Sequence, residues 1–162
     1  MDERAALFSA AADVLRARLD SVAGLVLFGS YARGDEGPQS DLDVLVVLRE
    51  TSLRRAQRYD AVAPAMGDLR RTDAWARWRT LGRGPELSPL VLTMEECRQL
   101  PPILLDIASE GILLWDGGGV RELPDDIRRR MARAGVRRVE MPDGRRYWDL
   151  RPGLLLGESV EF

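Results

Sequence analysis

Apolar and polar positions divide the chain into helices and strands of mixed order. Apolar side chains recur at helical spacing over residues 5–19, which predicts an amphipathic helix that is complete before Gly24. An apolar strand is expected next, over 25–28. The continuous leucine and valine run over 42–48 is typical of a strand that is covered on both faces, so we expect it near the centre of its sheet.

The middle of the chain is less strongly patterned. Weak helical periodicity covers 52–63 and 73–81, and Pro64 and Gly67 are expected to separate these helices. Proline cannot donate to a β-ladder, so Pro89 places the strand predicted over 87–93 at a sheet edge or a bulge. A Thr93–Glu96 capping box predicts the start of the next helix, which restarts near 101–102 and ends at Gly111. The remaining predicted elements are a strand over 112–115, a helix over 125–134 that Gly135 ends, and a hairpin over 136–150.

Length and composition limit the classes of protein that need to be considered. A chain of 162 residues suits a single domain over 1–162. No apolar segment is long enough for a membrane span, and the first residues lack the pattern of a signal peptide, so we expect a soluble, cytoplasmic protein. The net charge of −2 gives no support for direct nucleic-acid binding.

The residue types present also limit the chemistry. There is no histidine and only one cysteine, Cys97, which excludes an internal disulfide, the usual zinc sites and every histidine-dependent triad. We expect Cys97 to be a buried apolar side chain rather than a nucleophile. Trp75 and Trp78 are expected to pack against the body of the protein. General acids, bases and metal ligands must therefore come from carboxylates, hydroxyls, guanidinium groups or the backbone.

One segment combines features that suit phosphate and metal binding. Gly29 lets the backbone approach a ligand closely, and Ser30 begins a short helix whose amides can accept phosphate groups, with Arg33 nearby. Asp41 and Asp43 alternate at the start of a strand, so their carboxylates lie on one face, roughly 6–7 Å apart at the backbone. Paired carboxylates suit Mg²⁺ that also binds phosphate oxygens. Taken singly, a Gly-Ser pair is usually only a turn and a D-x-D only a solvated strand end; their combination favours a nucleotide–metal site.

This G-S-x10-D-x-D pattern after an apolar strand resembles the minimal nucleotidyltransferases of the DNA polymerase β-like superfamily. The resemblance implies an α/β fold with a nucleotidyltransferase-type mixed sheet flanked by helices, and it leaves residues 119–162 as a C-terminal extension with a helix and a β-hairpin. It also implies Mg²⁺ as cofactor and ATP, or a related NTP, as nucleotide donor. Minimal members are commonly encoded beside a HEPN protein, which implies a HEPN partner and a hetero-oligomer.

The superfamily adds a third carboxylate from a later strand, which completes the metal site and is the candidate base. In the strand expected here, PELSPLVLT, the only acid is Glu86. Glu86 is therefore the candidate third catalytic and metal-binding residue beside Asp41 and Asp43. It lies at the first edge of the strand, so a plain solvent-facing role stays open.

The resemblance implies transfer of AMP from ATP to a hydroxyl of a HEPN toxin, which makes the protein an antitoxin. Two alternatives stay open. One is an antitoxin of weak catalytic power that blocks its HEPN partner by occlusion. The other is a small-molecule nucleotidyltransferase, whose relatives carry a further helical substrate domain for which this chain is short.

Overall fold

The computed structural model describes residues 2–150, which fold into helices on both faces of a small sheet. The helices are α1 (Glu3–Arg16), α2 (Gly29–Arg33), α3 (Arg55–Val62), α4 (Ala65–Arg70), α5 (Asp73–Thr80), α6 (Met94–Arg98), α7 (Ile103–Glu110) and α8 (Leu123–Ala134). The strands are β1 (Val22–Phe28), β2 (Leu42–Leu48), β3 (Leu87–Thr93), β4 (Ile112–Asp116), β5 (Arg137–Glu140) and β6 (Arg146–Asp149). In the part of the chain so described, no helix has the length and hydropathy required to cross a membrane.

The main sheet has four strands in the order β3-β2-β1-β4. Strand β1 runs antiparallel to both β2 and β4, whereas β2 and β3 are parallel, so the sheet is mixed. Strands β5 and β6 form a separate antiparallel hairpin after α8. The expected fold class, a mixed sheet flanked by helices with a C-terminal helix and hairpin, is confirmed.

Strand β2 is central and is buried on both faces, as its continuous apolar sequence predicts. Val44 and Val46 belong to one core cluster, and Leu45 and Val47 to the other. Alternate side chains of a strand point to opposite faces, so one seven-residue strand contributes to both cores. Because both faces of β2 are packed against a core, the backbone at its beginning, next to Asp41, has a well-defined position.

Different helices cover the two faces. The first core contains buried residues of α1, α4 and α5, including Trp78, which is only 5% exposed. The second contains those of α6, α7 and α8. Trp75 packs against the first core as well, so the structural role expected for both tryptophans is confirmed.

Two glycines do not end elements as the sequence suggested. Gly24 lies inside β1, which begins at Val22, because α1 ends at Arg16. A Cβ at Gly24 would approach Val120 Cβ to 2.6 Å, so Gly24 serves close packing and not a turn. Gly67 likewise lies within α4 rather than between helices, and only Pro64, the N-cap of α4, marks a boundary.

Other local predictions are confirmed. Strand β3 is an edge strand, as Pro89 required. Thr93 and Glu96 form the capping box of α6: the Thr93 side chain accepts from the Glu96 amide, and the Glu96 carboxylate accepts from the Thr93 amide at 2.7 Å. Gly135 ends α8 in the left-handed conformation.

Candidate active site

The Gly-Ser turn and the D-x-D strand meet at one end of the sheet. Phe28, the last residue of β1, pairs with Asp43 of β2, and α2 begins at the next residue, Gly29. Gly29 has φ +71°, a conformation that side chains disfavour, and an ideal Cβ there would lie 2.5 Å from Asp43 Oδ2. The turn therefore lies directly against the Asp43 carboxylate, and any residue larger than glycine at position 29 would clash with it.

Asp41 and Asp43 differ in their surroundings. Asp41 is exposed, whereas Asp43 is partly buried. Burial raises the pKa of the Asp43 carboxyl above its ordinary value, and the charge of Asp41 raises it further, while the Ser88 hydroxyl and the charge of Arg33 oppose the increase. Two neighbouring carboxylates without a balancing cation are costly to keep ionised, which is the electrostatic signature of a cation site.

Sequence reasoning missed Ser88 as part of this site. In the parallel β2–β3 ladder, Asp43 lies opposite Ser88, and the nearby Ser88 hydroxyl lowers the pKa of the Asp43 carboxyl, against the effect of burial. The residue of β3 that lies opposite Asp43 is thus a serine, which has a hydroxyl rather than a carboxylate. The register of β3 against β2 would have identified it, but no turn joins these parallel strands to fix that register in the sequence.

Glu86, the expected third carboxylate, lies one residue before β3. Its backbone carbonyl accepts from the Leu42 amide at 2.7 Å, which places the residue beside the acid pair. Its carboxylate, however, is ion-paired with Arg70 of α4. Within residues 2–150 no group of three or more acidic, cysteine or histidine side chains is arranged to hold a metal ion. The structure thus brings Asp41 and Asp43 together and does not bring the Glu86 carboxylate into a cluster with them.

Helix α2 is anchored at its centre and at its last residue. Tyr31 is fully buried and contacts Phe8 of α1 and Trp78 of α5. Arg33 is bonded to Asp35 and Glu110, each at 3.0 Å, and the Asp35 hydrogen bond raises the pKa of the guanidinium above its ordinary value. The helix that carries Ser30 is therefore held rigidly, and Arg33 is engaged by carboxylates rather than free to reach far.

The donor set fits magnesium. Mg²⁺ in phosphoryl-transfer sites is held by one or two carboxylates together with substrate phosphates and water. Asp41 and Asp43 supply two carboxylates at the exposed end of a rigid strand, beside a turn that has no side chain at Gly29. The remaining positions suit phosphate oxygens.

A family model described as nucleotidyltransferase domain matches residues 10–105, which is more than half of the chain and includes the Gly-Ser turn and the D-x-D strand. The chain therefore belongs to the nucleotidyltransferase domain family, and the resemblance inferred from the motif is confirmed. A Methanocaldococcus jannaschii protein that carries the name protein adenylyltransferase is 43% identical over 51 residues, which cover 31% of this chain. The chain spans about half the length (48%) of this curated relative.

Solved structures of similar fold include toxin–antitoxin complexes. One, determined with AMP-PNP, has a TM-score of 0.48 and 19% identity, and the match covers 82% of this chain and 88% of that one. Another contains a tri-AMPylated Shewanella oneidensis HEPN toxin with its MNT antitoxin, at a TM-score of 0.46 and 17% identity, covering 82% and 92% of the two chains. A Sulfolobus solfataricus nucleotidyltransferase has a TM-score of 0.46 and 18% identity, covering 72% and 86%.

Proposed function

We propose that the protein is a magnesium-dependent adenylyltransferase that moves AMP from ATP to a hydroxyl of a HEPN-domain partner and so acts as a cytoplasmic antitoxin. The observation that carries the proposal is the contact between the Gly29 turn and the Asp43 carboxylate. It joins a phosphate-binding turn and a cation-binding pair in one site. Family membership and the name of the curated relative support the reaction class. The HEPN partner rests on the resemblance.

In the proposed reaction, the acceptor oxygen bonds to the α-phosphorus of ATP, and the bond from that phosphorus to pyrophosphate breaks. Gly29 and Ser30 hold the phosphates, and Asp41 and Asp43 hold Mg²⁺, which supplies charge neutralisation when bound. Arg33, held near Asp43, contributes positive charge beside the phosphates. The hydroxyl proton passes to a carboxylate or to water. Catalysis of this kind depends on position and charge more than on covalent participation by the protein.

Glu86 stays a prediction as the third acid. To serve, its carboxylate must leave Arg70, and both side chains of that pair are about half exposed (57% and 48%). Exposed ion pairs contribute only about 0.2–1 kcal/mol, so exchange of Arg70 for a cation is energetically accessible.

The test is co-expression with a HEPN protein encoded beside this chain, followed by intact-mass measurement of that partner. The wild type should add AMP, and Asp43→Asn should abolish the addition. Asp60→Asn is the matched control, because Asp60 is an exposed carboxylate on α3 that is remote in sequence from the motif. No addition by the wild type in the presence of ATP and Mg²⁺ would overturn the proposed activity.

A second candidate function is a binding antitoxin that blocks the same partner without transfer. The observation that favours it is that Ser88 lies opposite Asp43. A carboxylate at the Ser88 position would be close to the acid pair, but the residue there is a serine. Gel filtration of the two proteins together, combined with the mass measurement, separates the candidates. Co-elution and silencing without an AMP adduct would support the binding function, and separate elution without an AMP adduct would contradict both.

A further inference from the structure

An arginine-lined cavity of about 450 Å³ lies beside the candidate active site and has no role in it so far. We name it the arginine pocket. It is lined by Arg70, Trp75, Arg79, Gly82, Arg83, Gly84 and Glu86. A cavity of this size accommodates a nucleotide-sized ligand.

The arginine pocket has more positive than negative charge. Arg70 is ion-paired with Glu86, and Arg83 donates to Glu36 at 2.8 Å. Arg79 has no carboxylate partner among residues 2–150; its guanidinium lies over the Trp75 ring, 5.1 Å from the centroid. Glu36 is also bonded to Arg4, at 3.0 Å, so its one charge is shared between two guanidinium groups. The lining therefore has net positive charge and a guanidinium that is positioned by stacking but not neutralised.

The arginine side chains that line the pocket are accessible to a ligand. Arg70 and Arg83 are 48% and 40% exposed. A Cβ built at Gly82 or Gly84 meets no atom within 4 Å, so the loop that borders the cavity leaves open space. The indole Nε1 of Trp75 is buried and has no hydrogen-bond partner within the described residues. A polar ligand would find several donors and few acceptors here.

The arginine pocket is adjacent to the acid pair. Glu86, which lines it, bonds through its carbonyl to the amide of Leu42, the residue between Asp41 and Asp43. Guanidinium groups are the side chains best suited to phosphate, since their planar forks bind two oxygens at once. Three such groups around one cavity suit a phosphate, which has more acceptor oxygens than a single carboxylate.

We propose that the arginine pocket binds a phosphate group of a nucleotide without a divalent cation. Two sources have this chemistry: the terminal phosphates of the donor ATP, and the phosphate of a second nucleotide that is not the donor. The choice between these sources rests on the proposed transfer function; the anion site itself does not.

The experiment is calorimetry of the full chain in EDTA with inorganic pyrophosphate as the probe. We expect pyrophosphate to bind the wild type and to bind Arg79→Gln at least about tenfold more weakly, as expected for loss of a charged hydrogen-bonding partner. Arg79→Lys should recover part of the affinity. Arg77→Gln is the matched control, an exposed arginine on the same helix that does not line the cavity. Thermal melting verifies that each variant is folded.

Two further arms distinguish the sources. If Arg79→Gln weakens Mg·ATP binding and leaves AMP binding in EDTA unchanged, the donor supplies the phosphate. If it weakens AMP binding and leaves Mg·ATP unchanged, a second nucleotide supplies it. Asp43→Asn should leave pyrophosphate binding in EDTA intact, so failure of the transfer proposal and failure of the pocket proposal give different results.

Three results would overturn the phosphate site. They are absence of pyrophosphate binding in EDTA, equal weakening by Arg77→Gln and Arg79→Gln, and tighter binding of a glutamate-rich peptide than of pyrophosphate.

Discussion

Asp43 on β2 and Ser88 on β3 lie opposite each other in the parallel ladder, and the Ser88 hydroxyl lowers the pKa of the Asp43 carboxyl that burial raises. This pair defines how the acid site differs from a three-carboxylate site. The cross-strand neighbour of the second aspartate carries a hydroxyl, which favours the ionised carboxylate without adding negative charge. Ser88 is therefore the neighbouring position at which a substitution can change the charge of the site while leaving both aspartates in place.

Ser88→Asp should strengthen Mg²⁺ or Mn²⁺ binding, because it adds a third carboxylate next to the pair. Ser88→Ala should weaken transfer several-fold, because Asp43 loses the neighbouring hydroxyl that favours its ionised form. Cation titration by calorimetry measures the first effect and the rate of AMP transfer the second. Ser88→Asp in an Asp43→Asn background is the control, since it restores two carboxylates. Unchanged cation affinity in Ser88→Asp would show that Ser88 does not face the pair in solution.

Gly29→Ala should abolish nucleotide binding, while Gly34→Ala should not. Both glycines have positive φ, +71° and +81°, so each substitution strains the backbone by about 1 kcal/mol. Only the Gly29 Cβ meets Asp43; a Cβ at Gly34 meets no atom within 4 Å. Titration of ATP with Mg²⁺ and thermal melting of both variants separate strain from contact. Equal losses of binding would argue that the close approach to Asp43 has no part in the site.

Gly24→Ala should lower the free energy of unfolding by about 1–3 kcal/mol, the usual cost of overpacking a core. The new methyl group would meet Val120 Cβ at 2.6 Å and the Trp115 carbonyl oxygen at 3.0 Å. Gly84→Ala is the control, because its Cβ would enter open space without positive φ. Urea denaturation of both variants gives the comparison. A fully stable Gly24→Ala would contradict the packing of β1 against Val120.

Cys97 should resist alkylation in the folded protein. Its side chain is fully buried, and burial, together with the charge of Glu96, raises the pKa of the thiol to about 12. The folded state therefore keeps the thiol protonated at pH 8, whereas the thiol of the unfolded chain ionises appreciably. Because this ionisation favours the unfolded state, the free energy of unfolding falls as the pH rises above 9. Iodoacetamide labelling followed by mass spectrometry at pH 8, with and without urea, measures the difference. Rapid labelling without denaturant would refute the burial of Cys97.

Strands, caps and the D-x-D motif were predictable because their signals are local. The apolar run of β2, the missing donor of Pro89 and the Thr93–Glu96 box each determine structure within a few residues of sequence. Gly24 was misinterpreted because its cause is a distant side chain, Val120, which no local pattern reveals.

The third position of the acid site needed tertiary information. Glu86 is the only acid in its segment, so the sequence indicates it as the third carboxylate, but its carboxylate pairs with Arg70 of α4, a helix whose position the sequence does not specify. The arginine pocket was not predicted for the same reason, since it assembles α4, α5 and the loop before β3. The chemistry of Asp41 and Asp43 could be inferred from the sequence. The ion-pair partner of Glu86 and the residue opposite Asp43 in β3 could not.

The shared carboxylate of Glu36 links segments that are far apart in the sequence. It is only 4% exposed and holds both Arg4, in the first turn of α1, and Arg83, beside the arginine pocket. A ligand that draws Arg83 toward itself changes the electrostatic field at Glu36, and Arg4 experiences that change in turn. If the arginine pocket binds its ligand as proposed, the shared Glu36 couples that binding to the docking of the N-terminal helix, and hydrogen exchange in the first turn of α1 should change on binding.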